Sequence, residues 1–231
     1  MLKENLLDVK EKIRLACERA GRNPDEVTLI AVSKTKPLSD IEELILCEQM
    51  EYGENKVQEL VDKYEHVSKP VNWHLIGHLQ TNKVKYIVDK ACLIHSVDSL
   101  HLAKEIEKEA AKKSVICKIL IQVNIAKEDT KFGVSEEEAC SLIEQIKDFP
   151  HIQIEGLMTI APFVDNPEKN RHIFRNLHQL LLDIKSKNID NVNMNVLSMG
   201  MTNDYEVAIE EGATMVRVGT GIFGARNYNI E

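Results

Sequence analysis

The sequence lacks the features that mark several classes of protein. Its five cysteines are scattered, odd in number and without a Cys-x-x-Cys pair, so neither a disulfide framework nor a cysteine metal motif is expected. No stretch approaches the ~20 apolar residues of a membrane span, and no apolar segment follows the first charges. The net charge of -8 also argues against binding to nucleic acid or anionic membranes. We therefore expect a cytoplasmic protein whose cysteines are buried or half-buried.

The apolar content is sufficient for one large core. Hydrophobic residues make up 43% of the 231 residues, and no Gly/Ser/Pro-rich linker divides the chain. An amphipathic helix is predicted from residue 2 to about residue 20, where apolar residues recur every three or four positions before Gly21. We therefore expect a single domain over residues 1–231.

Beyond that helix, apolar runs alternate with helical patterns. The predicted strands cover residues 27–36, 51–55, 71–77, 93–97, 115–125, 152–158, 194–198 and 214–219. Helices are predicted between them at about residues 39–50, 57–64, 81–90, 99–112, 135–147, 168–187 and 203–211, with Ser39-Asp40 and Ser99 as caps. This alternation predicts an α/β fold, a (β/α)8 TIM-type barrel with an extra N-terminal helix.

The predicted barrel indicates where a site should lie. Barrel proteins bind ligands at the C-terminal ends of their strands, and phosphate commonly lies on the loops after strands seven and eight. Polar residues and turn glycines fall at these ends: Lys36, Asn55, His78, Asn124, Met158-Thr159, Ser198-Met199-Gly200 and Gly219-Thr220-Gly221. We therefore expect the site at this end of the barrel.

The first predicted strand ends in two lysines and a proline. Lys34 and Lys36 have the same parity, so an extended backbone would direct both to one side, and Pro37 favours an extended Lys36. A lysine on a rigid strand end can be desolvated, which makes its amine nucleophilic. Strand-end lysines are otherwise solvated, so the pair is informative only together with the other residues of the site.

A glycine-rich turn follows the eighth predicted strand. The run from Gly219 to Gly224 matches G-x-G-x-x-G, but a dinucleotide fingerprint opens a βαβ unit with an acidic residue about 20 positions later, and the sequence printed ends at Glu231. A glycine turn before a short helix can instead bind one phosphate through backbone N–H groups and the helix dipole. Thr220 and Ser198 would add hydroxyl donors. The alternative is that these are plain turn glycines.

Arg217 lies in an otherwise apolar strand, two residues before Gly219. A buried arginine requires a partner, which would be Glu155 or another strand-borne acid, or else a ring nitrogen of a ligand. His74 and His78 have the i, i+4 spacing of a helical metal pair. They fall in a strand and a glycine turn, so no metal site is expected.

A lysine amine, a phosphate-binding turn and an arginine between them describe a site for pyridoxal 5'-phosphate (PLP). The aldehyde would form a Schiff base with Lys36, and the phosphate would be anchored across the barrel mouth. Lys34 is the competing candidate, although its position further inside the strand favours an ion pair.

The sequence also resembles the pyridoxal phosphate homeostasis proteins over essentially its whole length. The motifs that carry the resemblance are Ala31 to Pro37, Tyr52-Gly53-Glu54-Asn55 with Val57-Gln58-Glu59, Trp73 to Lys83, Gly156-Leu157-Met158, Leu197 to Met201 with Asp204, and Met215 to Arg226. That family is similar to the barrel domain of bacterial alanine racemase. The resemblance implies that Lys36 carries PLP, that Arg217 faces the pyridine nitrogen and that Asn55 lines the pocket. It further implies that the phosphate is held by Ser198, Gly219 and Thr220.

The same resemblance implies a role in vitamin B6 homeostasis without an established catalytic activity. An arginine at the ring nitrogen disfavours the pyridinium form and weakens the electron sink for a carbanion. Racemases also take a second acid or base from a further domain and a partner subunit. We therefore expect a monomeric, non-catalytic PLP carrier or buffer that contacts apo-enzymes transiently. The alternatives are a racemase-type PLP enzyme, with Lys34, His78 or Tyr205 as second base, and a barrel that binds another phosphate compound without a Schiff base.

Overall fold

A computed structural model describes residues 1–128 and 132–224, and it confirms the predicted barrel. Parallel strands pair in sequence order, and β8 pairs back with β1 to close the sheet. The strands are β1 Thr28–Val32, β2 Glu51–Glu54, β3 Asn72–Leu75, β4 Ala91–Val97, β5 Cys117–Gln122, β6 Ile152–Met158, β7 Val192–Met201 and β8 Met215–Val218. Most are apolar, as expected for strands covered on both faces.

Helices alternate with the strands. They are α1 Leu2–Arg19, α2 Leu38–Ile45, α3 Val57–His66, α4 Leu100–Lys113, α5 Glu136–Ile146, α6 Arg171–Ser186, α7 Tyr205–Glu210 and α8 Thr220–Phe223. Ser99 caps α4 as predicted, because its hydroxyl accepts the N–H of Leu102. In the described part of the chain, no helix has the length and apolarity needed to cross a membrane.

Two predicted helices differ from those observed. Residues 81–86 form a 3-10 helix rather than an α-helix. Helix α2 has Pro37 as its N-cap residue instead of Ser39-Asp40, and it ends at Ile45 rather than near Met50. The fixed φ of Pro37 suits the position just before a helix, so the first turn forms earlier than the serine predicts.

The N-terminal helix covers the closing side of the barrel. Its apolar face buries Leu6, Val9, Ile13, Ala16 and Cys17 and packs against α7 and α8. This contact fixes α8 directly after β8, where the glycine turn lies.

Two further sequence expectations can be compared with the structure. The described cysteines are all unpaired. The expectation of burial is wrong for Cys92, which is exposed near the start of β4.

Ala225 and Arg226, the last residues of the motif that begins at Met215, lie outside the described residues.

Candidate functional site

A cavity of about 730 Å³ opens at the C-terminal ends of the strands. It is lined by Val32, Lys34, Lys36, Asn55, Ile76, Gly77, His78, Gln122, Phe132, Ile160, Pro162, Phe163, Met201, Thr202, Asn203, Asp204, Arg217, Gly219 and Thr220. This lining includes every residue that was predicted to bind PLP except Ser198. A concave, mostly apolar cavity of this size with a few polar groups is typical of a small-molecule site.

Lys36 lies in a turn at the cavity wall, not in a strand. The chain turns at Thr35, which has a φ of 64°, and the Lys36 N–H donates to the Ser33 carbonyl oxygen at 3.0 Å. The prediction that Lys34 and Lys36 share one side of an extended strand is therefore wrong, although both line the cavity. The half-buried Lys36 amine donates to the Phe223 carbonyl oxygen at 3.0 Å, which directs it toward the end of α8.

A buried ion-pair network holds this turn. The Lys63 amine lies 2.7 Å from the Ser33 carbonyl oxygen, 2.7 Å from Glu54 Oε1 and 2.8 Å from Glu59 Oε1. Glu59 Oε1 also accepts the Thr35 N–H at 2.6 Å. Burial raises the pKa of Glu54, and Lys63 opposes that shift. The three donors of the ammonium group are thus all engaged, and they attach the Lys36 turn to α3.

Arg217 is buried and occupies the floor of the cavity. Its Nη1 donates to the Ser198 hydroxyl at 2.5 Å, and its Nη2 donates to the Thr159 carbonyl oxygen at 2.8 Å. An ion pair with Glu155 is not formed, since the Glu155 carboxylate lies 3.9 Å from the Lys118 amine instead. Burial lowers the pKa of Arg217 to about 10, so the guanidinium remains charged at neutral pH. Part of its fork of N–H donors remains available to a ligand.

Further hydrogen bonds continue from Ser198 through the barrel interior. His95 Nδ1 lies 2.9 Å from Ser198 Oγ, His95 Nε2 lies 3.0 Å from His74 Nδ1, and His74 Nε2 lies 2.7 Å from Glu51 Oε2. Burial lowers the pKa of His95 well below its ordinary value, and the cationic Arg217 acts in the same direction. Ser198 thus faces the barrel interior, which explains its absence from the cavity lining.

The two histidines with metal-pair spacing do not converge. His74 lies inside the barrel, whereas His78 is at the mouth and stacks on Phe132 with ring centroids 3.8 Å apart. Among the described residues, Glu51, His74 and Cys92 bring possible ligand atoms within 4.8 Å of one another at the opposite end. Glu51 and His74 already satisfy each other there through their hydrogen bond.

The glycine turn after β8 lies beside Thr202, a residue that the sequence analysis did not select. The Gly219 N–H donates to Thr202 Oγ1 at 3.2 Å, and both residues line the cavity with Thr220. β7 continues to Met201, beyond its predicted end at Ser198. The longer strand is why Thr202, and not Ser198, offers a hydroxyl to the cavity.

Asn55 approaches the end of β3 very closely. A Cβ atom on Gly77 would lie 2.3 Å from the Asn55 carbonyl oxygen, so only glycine permits this contact. The glycine therefore allows Asn55 to line the cavity.

The fold and site define a class of protein, the racemase-type barrel. The family model for the alanine racemase N-terminal domain matches residues 5–227. An alanine racemase of Clostridium difficile 630 superposes with a TM-score of 0.75 at 14% identity, over 99% of this chain and 57% of the racemase. That likeness concerns the fold alone.

More similar proteins identify the family within this class. The pyridoxal phosphate homeostasis protein of Aquifex aeolicus is 47% identical over 226 residues, which are 97% of this chain and 98% of that protein. The structure of PipY from Synechococcus elongatus PCC7942 with PLP bound is 31% identical, with a TM-score of 0.84 over 97% of this chain and 100% of PipY. The chain belongs to the family of pyridoxal phosphate homeostasis proteins.

Proposed function

We propose that the protein binds PLP in the cavity at the barrel mouth and carries it as a Schiff base on Lys36. The observation behind this proposal is that three groups surround one cavity: the Lys36 amine, the Arg217 guanidinium and the glycine turn at Gly219 with the Thr202 and Thr220 hydroxyls. The likeness to PipY, which has PLP bound, supports the choice of ligand.

Each group matches one part of PLP. The Lys36 amine would add to the aldehyde carbon, so that C=N would replace C=O and the oxygen would leave as water. Arg217 would donate to the pyridine nitrogen through its remaining N–H groups, and the hydroxyls of Thr202 and Thr220, with the backbone at Gly219, would hold the phosphate. When bound, PLP supplies an electron-accepting ring.

We further propose a carrier or buffer in intracellular vitamin B6 homeostasis rather than an enzyme. A buried, charged Arg217 keeps the ring nitrogen unprotonated, which weakens the electron sink that carbanion chemistry requires. A protein of this kind limits the free aldehyde and passes PLP to apo-enzymes in transient complexes.

The Schiff base is tested by the absorption spectrum of the protein incubated with PLP, followed by borohydride reduction and peptide mass spectrometry. We expect a Schiff-base band and a pyridoxyl group on Lys36. Lys36→Ala should abolish the adduct, whereas Lys34→Ala, which removes the other lysine of the cavity wall, should retain it. A colourless protein without an adduct would instead indicate a barrel for a different phosphate compound.

A PLP-dependent racemase-type enzyme is the second candidate. It is favoured by the fold shared with alanine racemase and by His78, a possible base that lines the cavity. Amino acids incubated with PLP-loaded protein in heavy water separate the two functions. A carrier leaves the α-hydrogen in place, whereas an enzyme exchanges it for deuterium in a reaction that Lys36→Ala abolishes.

We also propose that the protein is a cytoplasmic monomer. Unpaired cysteines suit a reducing compartment. Cell fractionation tests the location, and size-exclusion chromatography with light scattering tests the oligomeric state. Sedimentation with the membrane fraction or a dimeric mass would contradict this proposal.

A further inference from the structure

Polar side chains form a continuous line across the barrel interior, from the ligand cavity to the opposite end. Arg217 of β8 and Ser198 of β7 begin the line, His95 of β4 and His74 of β3 continue it, and Glu51, the first residue of β2, ends it. The first four are at most 3% exposed. Burying so many polar groups is costly unless they are hydrogen-bonded, and this arrangement gives each side chain at least one partner.

When both imidazoles are neutral, the two ends of the line determine the direction of its hydrogen bonds. Arg217 can only donate, and an ionised Glu51 can only accept. Burial opposes the ionisation of Glu51, but hydrogen bonds, including that from His74, outweigh it and lower the Glu51 pKa. With both imidazoles neutral, His74 Nε2–H donates to Glu51 and His95 Nε2–H donates to His74 Nδ1. His95 Nδ1 is then left to accept the hydroxyl hydrogen of Ser198.

We propose that Glu51, His74 and His95 are positioning residues of the ligand site. Their hydrogen bonds all run in one direction. The Ser198 hydroxyl therefore donates its hydrogen to His95, and its oxygen lone pairs accept a hydrogen bond from Arg217. A Ser198 hydroxyl turned the other way would direct its hydrogen at the cationic guanidinium. The chain therefore holds Arg217 at the cavity floor from the far end of the barrel. This inference rests on the proposed function, in which Arg217 faces the pyridine nitrogen.

The direction of the chain can be tested without PLP. Long-range proton–nitrogen correlation spectra of the ¹⁵N-histidine-labelled apoprotein, recorded with EDTA, report which ring nitrogen of each imidazole carries hydrogen. We expect His74 and His95 to be neutral, each with its hydrogen on Nε2. A cationic ring, an Nδ1–H tautomer or a mixture of tautomers at either residue would overturn the chain.

The effect on the ligand site is tested by PLP titration of Glu51→Leu and His95→Phe, followed by absorbance, because neither new side chain can form the hydrogen bonds of the chain. We expect about a tenfold loss of affinity in each, because Arg217 loses its fixed acceptor, and a shifted Schiff-base band. Ser96→Ala is the matched control, since the Ser96 hydroxyl is buried beside His95 without a hydrogen-bond partner in the described structure. It should retain wild-type affinity and spectrum.

The outcomes separate this inference from the proposed function. Folding of each variant is checked by circular dichroism, and Glu51→Leu keeps the test valid if His95→Phe fails to fold, since Glu51 is 27% exposed. Wild-type affinity and spectrum in Glu51→Leu would overturn the positioning role while leaving PLP binding intact. If the wild-type protein binds no PLP, the proposed function fails, and so does the inference that Glu51, His74 and His95 influence PLP binding.

Discussion

At the scale of single residues, the turn that carries Lys36 depends on a second, buried lysine. Lys63 bonds the backbone of the Lys36 turn and two glutamates, Glu54 and Glu59. Lys63 also continues the buried face of α3 after Val57 and Leu60, at three-residue intervals. A charged residue on an apolar helix face was the sequence signal for this network. The sequence could not show its partners, because they lie on a strand and a turn that only the fold brings together.

Lys63→Met should strongly destabilise the protein. Removing one member of a buried ion pair leaves the other charge unpaired, which typically costs about 3–5 kcal/mol, and Glu54 would be that charge. Urea unfolding measures the loss. Lys108→Met is the control, because Lys108 pairs with Glu105 at the exposed surface and should leave the free energy of unfolding near the wild-type value. Similar losses in both variants would contradict a special role for Lys63.

The cost of Lys63→Met should also depend on pH. Burial raises the pKa of Glu54 in the folded protein. Between the ordinary and the raised pKa, the folded state holds a proton that the unfolded chain has released, so the stability contribution of Glu54 falls as pH rises through this window. Loss of Lys63 raises that pKa further, and the difference between variant and wild type should therefore shrink toward acid pH. Urea unfolding at several pH values gives the difference, and a pH-independent value would contradict this assignment.

At the scale of elements, the ends of strands are the part that the sequence predicts least well. The alternation of strands and helices was predictable because apolar periodicity is local. The strand ends were not, since Thr35 turns the chain after β1 and β7 continues to Met201. The predicted strand ends therefore placed Lys36 on an extended strand and selected Ser198, whereas Thr202 is the residue that lines the cavity. The pairing of β7 with β8 also shifts in register between Ser198 and Met201. Nothing in the sequence alone indicates this shift.

Gly77→Ala should damage both folding and ligand binding. The new Cβ would lie 2.3 Å from the Asn55 carbonyl oxygen, so the ends of β2 and β3 must separate. Overpacking of this kind typically costs about 1–3 kcal/mol, and displacement of Asn55 should weaken PLP binding. Gly21→Ala is the control, because Gly21 has a φ of 65° but open space around it. It should lower the free energy of unfolding without changing PLP affinity in the same titration.

At the scale of the whole molecule, closure of the barrel assembles the site from distant parts of the sequence. Strand β1, which leads to Lys36, pairs with β8, which carries Arg217, and α1 packs on the α8 segment that follows the glycine turn. The barrel was predictable from the alternation of strands and helices. Lys36, Asn55, Gly219 and Thr220 were selected at predicted strand ends, and Arg217 was selected as a charged residue inside an apolar strand. The Glu51–His74–His95 line was not, because its members belong to separate strands and meet only inside the closed barrel.

Since the cavity joins the first and last strands, a bound ligand should stabilise the closed barrel as a unit. A ligand that binds only the folded state contributes about 2.7 kcal/mol at a concentration of 100 Kd, which for a chain of this size corresponds to a rise in Tm of about 5–11 °C. Differential scanning calorimetry with increasing PLP should show this rise in the wild-type protein and in Lys34→Ala. In Lys36→Ala the rise should be largely lost, because only phosphate and ring contacts remain. An equal rise in both lysine variants would show that PLP is held without the covalent bond to Lys36.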